Sequence, residues 1–88
     1  MKTIKLDVTN IQTVRALHVY LAYILDLPSH YGRNLDALHD VLCDESRQVC
    51  ITLAGMPASE EMAAYLPRLE RVMADSAQEN DRVSFERI

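Results

Sequence analysis

The sequence has no tryptophan, one phenylalanine, two glycines, three prolines and two cysteines in 88 residues. So little glycine and proline leaves no linker and no low-complexity segment, and no internal repeat is visible. The chain therefore reads as one domain, residues 1–88, with a modest hydrophobic core. Cys43 and Cys50 form no metal-type pair, and a cytoplasmic chain keeps both reduced. No apolar run approaches the ~20 residues of a membrane span. No basic segment followed by an apolar run opens the chain either. Met1 leads directly into a strand pattern, so the expectation is a cytoplasmic protein with no membrane contact.

Basic charge is also sparse. Nine Lys and Arg stand against thirteen Asp and Glu, a net −4. The excess acid begins after the first helix: residues 1–25 carry +2, residues 26–59 carry −3 and residues 60–88 carry −3. A nucleic-acid surface needs clustered Lys and Arg, so direct nucleic-acid binding is not expected. A basic protein partner is compatible with this balance.

What is present reads in order. Ile4, Leu6 and Val8 alternate with Lys5 and Asp7, a strand with one buried face. Thr13 is a suitable N-cap for a helix running to about Leu25, with Val14, Leu17, Leu21, Ile24 and Leu25 as its core stripe. Leu27-Pro28-Ser29 stops it, because the residue before proline is pushed away from helical angles. This helix carries a second apolar stripe, Ala16, Val19, Tyr20 and Tyr23. So small a domain rarely buries both sides of one helix, so Val19, Tyr20 and Tyr23 are candidates for a homodimer seam; packing over the domain edge is the simpler alternative. His18, at the edge of the core stripe, reads as a satisfied structural histidine.

Val49-Cys50-Ile51-Thr52-Leu53 is short and almost continuously apolar, as in a central strand covered on both faces. Pro57 to Glu61 starts a helix to about Tyr65, and Pro67 is expected to end it and open the next. Leu69, Val72 and Met73 face inward there. Glu79-Asn80-Asp81 turns the chain into a last strand containing Val83 and Phe85. Strands joined by helices imply right-handed crossovers. The fold class is α/β: a small three-stranded parallel sheet packed with about four helices.

The most informative stretch is His30 to Leu42. A Tyr-Gly pair makes a turn and Asn34 caps a short helix. Leu35, Leu38 and Leu42 line one face; Asp36, His39, Asp40 and Cys43 fall on the opposite one. The ordinary meaning of two exposed aspartates is a solvated helix face. An acid–base pair at Asp36 and Asp40 would lack a pocket, a nucleophile and an oxyanion site, so no enzyme activity is expected. A metal held by Asp36, His39 and Asp40 would lack a fourth group, so no metal or other cofactor is expected.

Tyr31-Gly32-x-Asn34-Leu35-Asp36-Ala37-Leu38-x-Asp40-x-Leu42 resembles the signature of the barstar family, small intracellular inhibitors of secreted guanyl-specific ribonucleases. The resemblance extends more weakly from Ile11 to Pro28 and through the last helix and strand. It implies a ribonuclease inhibitor of the immunity type, one half of a toxin–antitoxin pair, with a basic ribonuclease or nuclease toxin as partner. It further implies that the helix and the loop before it plug the enzyme's active site. Asp40 matches the aspartate that stands where a substrate phosphate would sit, and Asp36 matches a second contact. Tyr31, Gly32 and Asn34 match the loop at the enzyme's mouth, while Asp75 and Glu79 align with glutamates of the last helix. The binding set so implied is His30, Tyr31, Gly32, Arg33, Asn34, Leu35, Asp36, His39, Asp40, Cys43, Asp75 and Glu79. Arg33 replaces an acid, His39 replaces an aromatic residue and no tryptophan follows the helix, so the partner surface differs from that of the best-known member. The competing reading is an interaction or dimerisation module on the same fold.

Overall fold

The computed structural model describes residues 2–88; Met1, read as the start of the first strand, lies outside them. The order is β1 (Lys2–Asp7), α1 (Val14–Ile24), α2 (Leu35–Cys43), β2 (Val49–Ala54), α3 (Glu60–Glu79) and β3 (Val83–Arg87). All three strands are parallel, with β2 central. The register aligns Ile4 with Ile51 and Ile51 with Phe85.

Strand order follows chain order, so both crossovers step in the same direction. Right-handed connections that never reverse place every helix on one face of the sheet. Burial agrees. Ile4, Leu6, Val49, Ile51, Leu53 and Val83 are buried under the helices, whereas Thr3, Lys5, Ser84 and Glu86 on the other face are exposed. The expectation that β2 is covered on both faces is thus corrected: Cys50, Thr52 and Ala54 are only half-buried, shielded by their neighbours in the sheet.

The expected four helices are three. α3 runs through Pro67 without a break. Proline removes the hydrogen bond to the carbonyl four residues earlier, that of Ala63. Ala63, Ala64 and Pro67 all face solvent, so water can satisfy that carbonyl. Met62, Leu66, Leu69 and Met73 keep one continuous buried stripe on either side of the proline. Burial of that stripe holds the helix together where local propensity would divide it.

Each helix begins on a side-chain cap. Thr13, Asn34 and Ser59 accept from the amides of Ala16, Ala37 and Met62 at 3.0, 2.7 and 3.1 Å. The starts of α1 and α3 are also tied together. Ser59 Oγ donates to the Gln12 carbonyl at 2.6 Å, and the Val14 amide donates to Glu61 Oε2 at 2.5 Å. Tyr20 lies along the outer edge of β1, where its hydroxyl accepts from the Asp7 amide (3.3 Å) and donates to the Lys5 carbonyl (3.4 Å).

Candidate functional site

The loop from Pro28 to Asn34 is held from beneath by a buried histidine. His18, 1 % exposed, meets the Tyr31 hydroxyl through Nδ1 and the Tyr65 hydroxyl through Nε2, both at 2.7 Å. A neutral imidazole has one donor and one acceptor nitrogen, so one hydroxyl donates to the ring and the other accepts from it. Burial pushes the His18 pKa down and both tyrosine pKa values up, which keeps all three groups neutral near pH 7. α1, the loop and α3 are thereby joined at one point. Gly32 then passes so close to α2 that a β-carbon there would meet the Ala37 Cβ at 3.1 Å. Asn34 closes the loop by donating to the Gly32 carbonyl at 3.2 Å. Arg33 sits between them in the left-handed region, at φ 57°.

Beside this loop lies an open groove of about 590 Å³. Its walls are the end of α1 (Asp26, Leu27, Pro28), the loop (His30, Tyr31, Gly32), one side of α2 (Ala37, Asp40, Val41, Asp44) and the following turn (Glu45, Arg47). Four carboxylates face one guanidinium there, and that guanidinium is already engaged. Arg47 pairs with Glu45 at 2.8 Å, approaches Asp26 at 3.8 Å and donates to the Leu25 carbonyl at 3.2 Å. Its hydrogen bonds, and then its charge, hold the Glu45 carboxyl below the usual range. Asp40 forms no ion pair with any described residue and is exposed. The groove is therefore strongly acidic, with Asp40 unneutralised on its wall.

The polar side of α2 divides in two. Asp40 turns to the groove with Ala37, Val41 and Asp44. His39 and Cys43 turn the other way, to Glu79 at the end of α3. Glu79 Oε2 lies 3.1 Å from His39 Nε2 and accepts from Cys43 Sγ at 3.1 Å. Burial, and then the Glu79 carboxylate, raise the Cys43 thiol pKa, so the thiol is neutral. His39, Cys43 and Glu79 are the described residues placed to share a metal ion; Asp36 and Asp40 do not join them.

Of the other residues named from the sequence, Asp36 is exposed on α2 and makes no ion pair with a described residue. Leu35 packs against the core. Asp75 lies one turn before Glu79, 4.0 Å from Arg71 of its own helix. The tyrosines of α1 also part: Tyr20 is half-buried on β1, while Val19 and Tyr23 are 49 % and 85 % exposed. Asp26, Asp44, Glu45 and Arg47 also line the groove, outside the binding set that the resemblance implies. A polar loop at a helix end was the available signal, but nothing local shows that it folds back beside the end of α1.

The sequence matches the family described as Barstar (barnase inhibitor) over residues 1–87. The chain belongs to the barstar family. A comparison with curated proteins finds no match. Barstar-family proteins are ribonuclease inhibitors rather than enzymes, and that general function goes with membership. The barstar-like signature from Tyr31 to Leu42 covers Tyr31 and Gly32 of the groove-lining loop and all of α2 but its last residue. No helix among the described residues is long and apolar enough to cross a membrane.

Proposed function

We propose that this protein plugs the active site of a basic ribonuclease with α2 and the Pro28–Asn34 loop, Asp40 standing in for a substrate phosphate. The observation that carries this reading is the state of Asp40: exposed, without a cation, on the wall of a groove where carboxylates outnumber the one engaged guanidinium. A carboxylate so placed accepts the forked guanidinium and ammonium donors with which a ribonuclease grips phosphate. His18 supports the reading by fixing the loop before binding, which reduces the ordering cost on association. Tyr31 and Gly32 on the groove, Asp36 on α2, and His39 and Glu79 on the side of α2 away from the groove are the further contacts proposed. In an immunity or toxin–antitoxin setting the enzyme is encoded beside its inhibitor, and that neighbour is the ribonuclease to test. Inhibition should be competitive with RNA and should collapse in Asp40→Ala. Inhibition independent of substrate concentration would exclude active-site plugging.

A second reading, an interaction module that pairs through α1, is favoured by one observation. Val19 and Tyr23 present an apolar surface bounded by Thr13, Arg15 and Ala16, which the other described residues leave uncovered.

A further inference from the structure

His39, Cys43 and Glu79 bring one nitrogen, one sulfur and one carboxylate oxygen to within 4.8 Å of one another at the junction of α2 with the end of α3. We infer that these three side chains form a binding site for a single borderline divalent cation, with Zn²⁺ the best match. The inference does not rest on the inhibitor reading. A tetrahedral zinc ion with ordinary bond lengths separates its nitrogen and sulfur ligands by about 3.6 Å, and its oxygen from either by about 3.4–3.6 Å. The observed separations are 3.6 Å for Nε2 to Sγ, and 3.1 Å from Glu79 Oε2 to each. The triangle needs to open by only about half an ångström along two edges to match that tetrahedral face.

Placement supports the same conclusion. His39 and Cys43 are one turn apart on α2, the spacing that aims two ligands at one ion, and Glu79 comes from another helix. His39 and Glu79 side chains are 35 % and 59 % exposed, so an ion can enter from solvent and water can fill the fourth position. The sulfur lies 3.6 Å from Nε2 and 3.9 Å from Nδ1, so ligation through Nε2 needs a turn of the ring about χ2. A half-exposed side chain can make that turn. The thiol releases its proton to solvent as the thiolate binds the ion, with no redox change. A thiolate beside an imidazole selects Zn²⁺ or Co²⁺ over Mg²⁺ and Ca²⁺, which prefer oxygen alone.

The test is a titration of the reduced, untagged full-length protein with Co²⁺ and then Zn²⁺. The expected result is one Co²⁺ per chain with a thiolate-to-cobalt charge-transfer band, displaced by Zn²⁺ and untouched by excess Mg²⁺. Zn²⁺ should also raise the melting temperature, and EDTA should reverse the rise. Cys43→Ser should abolish the band and Cys50→Ser should retain it. His39→Gln and Glu79→Gln should each weaken binding at least ~10-fold, the loss expected even for supporting contacts to a metal. No band, a band that survives Cys43→Ser, or one ion shared between two chains would overturn the site. Circular dichroism of each variant without metal separates lost binding from lost folding.

Discussion

Asp36 and Asp40 lie one turn apart on α2, yet their surroundings differ. Asp36 is in the first turn, where the helix dipole favours a negative charge. Asp40 is past that turn, on the groove wall. Asp40→Ala should leave the melting temperature unchanged or slightly higher, because alanine is the better helix former. Binding to the ribonuclease should weaken by about 2–5 kcal/mol, mostly through faster dissociation, because the enzyme's cations would be left buried without a partner. Asp36→Ala should cost the free protein roughly 0.3–1 kcal/mol and weaken binding less. Thermal melts and binding kinetics on both variants decide the matter. If Asp40→Ala destabilises the free protein as much as it weakens the complex, the aspartate is structural. His18 gives a second prediction at this scale. Its folded pKa is depressed from 6.5, so the neutral ring stabilises the fold fully above pH 6.5. That contribution is lost as pH falls from 6.5 through the depressed folded value, since the unfolded chain takes up the proton first. Urea melts from pH 7.5 down to about 5 should show stability declining, and the slope should flatten in His18→Gln. A flat wild-type profile would remove the argument. The sequence marks His18 as structural from its place beside the core stripe. Its partners are not legible, because Tyr31 is 13 residues away and Tyr65 is 47.

At the scale of elements, Pro67 and Asn80 show where local rules give way to packing. Proline reads as a break because it lacks a donor. In α3 the carbonyl it orphans faces water, and four buried side chains span the site. Pro67→Ala should therefore restore one helical hydrogen bond and stabilise the protein by up to about 3 kcal/mol. A lower melting temperature would mean that the proline bend is needed for the packing of Leu66 and Leu69. Asn80 is a turn residue in the sequence, but in the fold it also completes α2. Its amide donates to the carbonyls of Leu42, Cys43 and Glu45 at 2.8, 3.3 and 3.0 Å, and its oxygen accepts from the Arg82 amide at 3.0 Å. These carbonyls lie at the end of a helix whose C-cap Asp44, with Glu45 after it, opposes its dipole. Asn80→Ala should cost about 1–3 kcal/mol by leaving them unpaired in a partly buried place. A melting temperature within error of wild type would show that water replaces the amide. The spacing of leucines in α2 makes its core face legible, as well as the existence of a polar side. It does not divide that side into a groove wall and a face toward α3. The division depends on Asp26 and Glu79, which no local pattern links to α2.

For the whole molecule, the uneven charge and the acidic groove should act on the approach of a basic enzyme. Association should reach roughly 10⁸ M⁻¹s⁻¹ at low ionic strength, the range of steered pairs such as barnase and barstar, and fall steeply with salt. Stopped-flow rates that stay flat from low to physiological salt would contradict steering. If copies pair through α1, Tyr23→Glu should give a monomer that still binds ribonuclease, because that surface lies off α2 and its loop. Sedimentation of a wild type already monomeric at high concentration would dismiss the pairing. The sheet offers its own restraint on association: Tyr20 occupies two of the outer hydrogen-bonding groups of β1, the Asp7 amide and the Lys5 carbonyl. Strand order that repeats chain order also separates what is held by neighbours in the chain from what is held at a distance. β1 and β2 pair directly, with no strand between them supplied from later in the chain. The end of α2, by contrast, is closed by Asn80, from beyond α3. The helix that carries Asp40 therefore depends on the turn between α3 and β3, and loosening that turn would loosen the groove wall with it.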